Sequence, residues 1–132
     1  MTTHGYTDGS LPITTSSARA ASLYRAGVER FVRSSDSASA TFDAAVAEDG
    51  EFAVAIAAAA LASRSRSNAM ESAARLGHAL RVARSATRRE RQHVEILGFF
   101  VHGEHSQAKA LAAAHLAEYP HDALIAYVLD RG

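Results

Sequence analysis

Eight arginines lie between Arg64 and Arg91 (positions 64, 66, 75, 81, 84, 88, 89 and 91), opposed only by Glu71 and Glu90, a local net charge of +6. Guanidinium groups hold carboxylates and phosphates through paired N–H donors, so such a belt carries the chemistry of an anion site for phosphate, nucleic acid or an acidic partner. Arg81, Arg84 and Arg88 fall on one face if a single helix carries all three. Arg88, Arg89 and Arg91 stand at a helix start, where the dipole disfavours cations. The competing reading is a solvated face neutralised by acidic residues of neighbouring helices or of a second subunit. No aromatic side chain interleaves the belt, which argues against stacking on single-stranded nucleic acid.

The seven histidines raise metal and proton-transfer chemistry. His102 and His105 are three apart, and His93, Glu95 and Glu104 lie close in sequence. Gly103 is expected to break the helix between His102 and His105, and the zinc-protease pattern of two histidines four apart with an adjacent glutamate is absent. His93 and Glu90 share a helical face, the arrangement of an acid–base pair. Ser106 lacks the context of a nucleophile elbow, and no glycine-rich phosphate loop occurs. The expectation is therefore no metal, no cofactor and no catalysis, with a small helical enzyme or ligand-binding accessory protein built around His93 as an alternative.

The elements that position these residues read as helices. Residues 1–17, rich in Thr, Ser and Gly and containing Pro12, read as a flexible lead-in, and no stretch alternates in the manner of a strand. From Ala18 onward alanine, leucine, arginine and glutamate dominate, all good helix formers. Helices are expected at 17–32, from an Asp36 cap to Asp49-Gly50, at 52–63, and up to Ser85 with Met70, Ala73, Ala74, Gly77 and Leu80 as its apolar face. Gly50 reads as a left-handed terminator. Thr87 and Glu90 form a capping box for a helix that is apolar around most of its circumference, as in a helix sandwiched between others. Gly103 ends that helix, Tyr119-Pro120 stops the next, and a last one opens at Ala123. Short loops between them imply antiparallel pairs, repeated about three times at 34 to 40 residues.

The stretch from Gly103 through Ala108 to Pro120 and Ala123 resembles a tetratricopeptide repeat. Gly103 matches the turn glycine, Ala108 the small residue where helices cross, Pro120 the closing proline and Phe99 the late aromatic. A weaker copy holds Ala38, Phe42 and Ala45, with Gly50 where proline is usual, while Gln92, Glu95 and Ile96 replace the usual tryptophan, leucine and glycine. Thr87-Arg-Arg-Glu-Arg91, His93-Val94, Gly103 and His115-Leu-Ala-Glu-Tyr-Pro120-His-Asp122 resemble the tetratricopeptide repeat protein 38 family, in which this region is the N-terminal part of a longer solenoid. The resemblance runs from Ala18 to the C-terminus. It implies protein or ligand binding and no assigned chemistry.

In such a solenoid the first helix of each pair lines a concave groove. That register selects Leu23, Gly27 and Arg30, then Val54, Ala57, Leu61 and Arg64, then Glu90, His93, Leu97 and Phe100, a lining suited to a short apolar segment or an acidic peptide terminus. The competing reading makes these residues core. The run Leu124, Ile125, Tyr127, Val128 and Leu129, with no following helix to cover it, is expected to pair two copies in a symmetric homodimer.

Composition bounds these readings. The 132 residues make about one domain, 30 of them alanine, with neither cysteine nor tryptophan, which excludes disulfides, zinc ribbons and thiol nucleophiles. Lys plus Arg and Asp plus Glu are 14 each, which argues against a nonspecific nucleic-acid coat. The zero is a sum of blocks, −3 before Arg64, +6 through Arg91 and −3 beyond, so a local anion site survives it. The apolar run 53–62 is too short to span a bilayer, the N-terminus lacks a basic-then-apolar leader, and the cytoplasm is the expected location. The expected protein is all-α, a short right-handed tetratricopeptide-like stack of about three helix pairs at 18–132, binding a protein or peptide without catalysis.

Overall fold

Asp8-Gly9-Ser10-Leu11 turns the chain back on itself, with Gly9 at φ 64° in the left-handed region that a tight hairpin turn requires. The turn joins β1 (Tyr6–Asp8) to β2 (Leu11–Ile13), paired antiparallel with Tyr6 opposite Ile13. Among the described residues seven helices follow: α1 (Ala18–Val32), α2 (Ala38–Glu48), α3 (Ala53–Ala62), α4 (Ala69–Ala83), α5 (Arg88–Val101), α6 (His105–Glu118) and α7 (Ala123–Arg131). This computed structural model describes residues 6–131. The hairpin corrects the expectation of a structureless lead-in: Ile13 is fully buried and Thr15 nearly so. Residues 1–5 of that segment lie outside the described residues.

Local chemistry sets the helix boundaries. Ser17 caps α1 by accepting from the Ala20 N–H, Asn68 caps α4 from Glu71, and Thr87 and Glu90 close the expected reciprocal box on α5. Helices α1 and α5 end alike. Ser34 and Ser35 donate to Phe31 and Arg30, and Gly103 and Glu104 donate to Phe100 and Phe99. Both ends place a left-handed residue at the same point, Ser34 at φ 59° and Gly103 at φ 77°. Two expected signals fail. Asp36 does not cap α2, which starts from Ser37 without a side-chain cap, and Gly50 is not left-handed.

Helix α3 is the centre of the packing. Its residues from Ala53 to Leu61 are all buried, and it touches α1, α2, α4 and α5. A helix apolar all round finds its partners by being enclosed, and alanine lets four neighbours approach closely. Gly27 serves the same end between α1 and α2, since a Cβ there would lie 2.5 Å from the Phe42 ring. On α4 the buried side is Ser72, Leu76, Ala79 and Ala83, while Met70 and Leu80 are exposed, so the expected apolar face is turned away from the core. Helix α7 packs on α5 and α6 and also reaches α1, where the Phe31 and Tyr127 rings meet edge-on at 5.6 Å. No helix among the described residues is long and apolar enough to cross a membrane.

Candidate functional site

Two places gather chemistry. The first is sealed. Arg89 and His93, one turn apart on α5, face Asp122 immediately before α7 and His115 near the end of α6. The Nδ1–H of His93 donates to both Asp122 oxygens, at 2.9 and 3.1 Å. His115 bridges Gln92 and Asp122, each ring nitrogen 2.8 Å from its partner. The Arg89 guanidinium lies 3.3 Å from Asp122 and donates to the Pro12 carbonyl of β2 at 3.0 Å. Beside it, the Glu90 carboxylate accepts from the Thr14 N–H at 2.8 Å, the Thr14 hydroxyl at 2.6 Å and the Thr87 N–H at 3.2 Å. The cluster thus ties the hairpin, α6 and the start of α7 to one helix.

All of these ionisable groups are buried, none more than 4 % exposed. Burial alone would raise the Asp122 carboxyl, but the charge and hydrogen bonds of His93, the hydrogen bond from His115 and the charge of Arg89 outweigh it and hold the group far below its ordinary value of 3.8. Asp8 on β1 moves the other way: burial raises its carboxyl above 3.8, and His93 and Arg89 offset only part of this. Tyr24 is raised by burial, with the Asp8 charge adding to it. The Tyr24 hydroxyl, Arg89 Nε and His93 Nε2 are buried without a hydrogen-bond partner among the described residues.

The expected His93–Glu90 pair does not form, because Glu90 turns to Thr14 and Thr87 while His93 turns to Asp122. Of the expected groove residues, Val54, Glu90, His93 and Leu97 are fully buried and Leu23 is half-buried, so they are interior rather than an open lining. Arg30 is exposed and donates to the Thr41 hydroxyl. Gly27 and Ala57 are buried as well, and so are Leu61 at 2 % and Phe100 at 6 % exposure, yet these last two come together with the exposed Arg64.

That second place is a cleft of about 500 Å³. Its apolar wall is Phe31, Leu61, Phe100, Tyr127 and Val128, drawn from the ends of α1, α3, α5 and α7. Three guanidinium groups border it, from Arg64, Arg66 and Arg131, with Asp36 as the one carboxylate in the lining. Arg64 donates to the Leu61 carbonyl at 2.8 Å, and Arg131 lies over the Tyr127 ring at 5.2 Å. None of the three forms an ion pair among the described residues. Ser34, in its left-handed conformation, and the first turn of α2 complete the mouth. The volume falls in the range of small-ligand sites.

The basic belt is not one face. Helix α4 stops at Ala83 and α5 begins at Arg88, so Arg81 and Arg84 belong to a different helix from Arg88, Arg89 and Arg91. Arg89 is interior, Arg88 pairs with Glu118 at 3.2 Å, and Arg91 donates to the Ala86 carbonyl. The C-terminal run is likewise absorbed: Leu124, Ile125 and Val128 pack into the chain's own core, and Tyr127 and Leu129 are half-buried, which removes the uncovered surface from which pairing was argued. No three or more His, Asp or Glu residues among those described are arranged to hold a metal ion. His102, His105 and Glu104 are exposed on either side of Gly103. The sealed cluster escaped sequence reasoning because most of its partners lie 23 to 77 residues apart. The available signal was Arg89 and His93 at i and i+4, in line with the apolar Ile96, Leu97 and Phe100 of the same helix. Searches with family models, curated proteins and solved structures find no match to the chain.

Proposed function

We propose that this chain is a non-catalytic interaction module, a short tetratricopeptide-like stack that binds a peptide segment of a protein partner. Supporting the stack is the way α1, α3, α5 and α7 each touch the next while α2, α4 and α6 each touch the helices before and after them. The observation that carries the function is the cleft at the ends of α1, α3, α5 and α7, where an apolar wall stands beside guanidinium groups that form no ion pair among the described residues. Apolar walls bind by area and charged rims orient the guest. The sealed His93 cluster supports the non-catalytic reading, since its hydrogen bonds join parts of this chain and its side chains are closed to solvent. Selection of displayed random peptides on the wild-type protein tests the reading. Selected peptides are expected to lose binding to Tyr127→Asp, checked as folded by circular dichroism. Failure to select any peptide, or equal binding to that variant, overturns it.

A further inference from the structure

We infer that the outward face of α4 pairs with the same face of a second copy of this chain, antiparallel about a two-fold axis, to give a homodimer. Met70 is 81 % exposed and Leu80 43 %, and with Leu111 of α6 they are the large apolar side chains left to solvent among the described residues. Between them Ala73 and Ala74 are exposed. At the half-buried Gly77 an added Cβ would approach no more than the tip of the Arg81 side chain, at 3.5 Å. These positions recur at i, i+3, i+4 and i+7, so one side of the helix carries them all. The other side, Ser72, Leu76, Ala79 and Ala83, is the one buried within the chain.

The row reads large, small, small, large, and it reads so in both directions. Turned end for end, a second copy sets Met70 against Leu80 and Ala73 against Gly77, and the small centre lets the two backbones approach closely. Charge selects the same partner and the same direction. Glu71 and Arg81 each follow a large apolar residue by one position and flank the row on one side. Glu71 accepts a hydrogen bond from Asn68, and neither Glu71 nor Arg81 has an ion-pair partner among the described residues. Antiparallel pairing brings each chain's Glu71 beside the partner's Arg81, twice in the dimer. Parallel pairing would set Arg81 on Arg81, Arg84 on Arg84 and Glu71 on Glu71, which like charges oppose. A face that holds both halves of a charge pair at exchanged ends is complementary to itself, as a two-fold interface requires. From Met70 to Leu80 the helix rises only about 15 Å. So short a contact is expected to give a weak dimer, with Kd on the order of tens of micromolar.

Sedimentation equilibrium of the full chain tests this, run from about 5 to about 500 µM to bracket that Kd. Met70→Asp and Leu80→Asp are each expected to weaken association about tenfold or more. Circular dichroism should stay unchanged, since both side chains are already exposed. Glu71→Arg and Arg81→Glu are each expected to weaken it, and the chain carrying both to recover it, because the exchange inverts the pair without breaking it. The chain has no cysteine. Ala74→Cys, next to the two-fold axis, should therefore give a disulfide-linked dimer on oxidation with copper phenanthroline, and Ala113→Cys, near Leu111 on α6, should not. A chain that stays monomeric throughout, or a dimer indifferent to Met70→Asp and Leu80→Asp, overturns the pairing. So does faster cross-linking at position 113 than at 74, or no recovery in the double exchange. Monomeric protein that binds anionic lipid vesicles and loses them in Met70→Asp also overturns it, assigning the face to a membrane surface.

Discussion

Arg89 and Arg66 are the same residue type in opposite situations. Arg89 is 4 % exposed, and its guanidinium meets Asp122 and the Pro12 carbonyl. Arg66 is exposed at the rim of an apolar cleft with no carboxylate paired to it among the described residues. A charge taken into the interior must be matched there, and the matching consumes the capacity that a ligand would use. A charge left at the rim of a cleft keeps that capacity. Titratable side chains at high density therefore mark, in this chain, the place where distant segments are tied together, and the sparser rim marks charges left to solvent.

The largest test of that contrast is Asp122→Ala. Removing the carboxylate leaves Arg89 buried without its counter-charge and His93 and His115 without their shared acceptor. The loss expected for one member of a buried charge cluster is about 3–5 kcal/mol, read from urea unfolding. Arg66→Ala is expected to change stability by less than about 0.5 kcal/mol, as exposed substitutions do. A loss at Asp122 as small as that at Arg66 would break the distinction between the two regions.

Acid sharpens it further. The Asp122 carboxyl is held far below 3.8 in the folded chain, so the unfolded chain binds the extra proton first. Its contribution is fully present above 3.8 and is lost as pH falls below that value towards the folded one. Asp8 has the opposite sign: its folded value is raised, so its penalty is relieved as pH falls through that value. Asp8→Asn should therefore raise stability near neutrality and steepen the acid limb of the pH–stability curve. An acid limb unchanged by both Asp8→Asn and Asp122→Asn would sever the cluster from acid unfolding.

What the sequence could and could not disclose follows the range of the interactions. The Thr87–Glu90 box, the Gly103 terminator and the succession of helices depend on residues three to five apart and are legible. The face of α4 is not, because in an alanine-rich helix Ser72 and Ala79 bury as readily as Met70 or Leu80, and only neighbouring α3 and α5 decide. The hairpin hides in a short polar segment whose one strong sign is Asp8-Gly9. For the groove, most of the residues that the register selects are interior, because these helices close on one another, α7 touching α1, and the cleft lies at their ends. Leu61, Arg64 and Phe100 sit at those ends.

The smallest effect concerns two helix ends that share one geometry. Gly103 terminates α5 at φ 77° and Ser34 terminates α1 at φ 59° with the same pair of backbone hydrogen bonds. A side chain in the left-handed region costs roughly 1–2 kcal/mol, part of which glycine gives back through the greater freedom of its unfolded chain. Ser34→Gly is thus expected to stabilise the protein by about 0.5 kcal/mol, and Gly103→Ser to destabilise it. Ser34 borders the cleft, whereas Gly103 does not. If strain at Ser34 is kept because its hydroxyl meets the guest, Ser34→Gly will bind the library-selected peptides more weakly while melting at a higher temperature. A variant that gains stability and loses no affinity would leave Ser34 as a helix terminator only, and would move the binding surface towards Arg66 and Arg131.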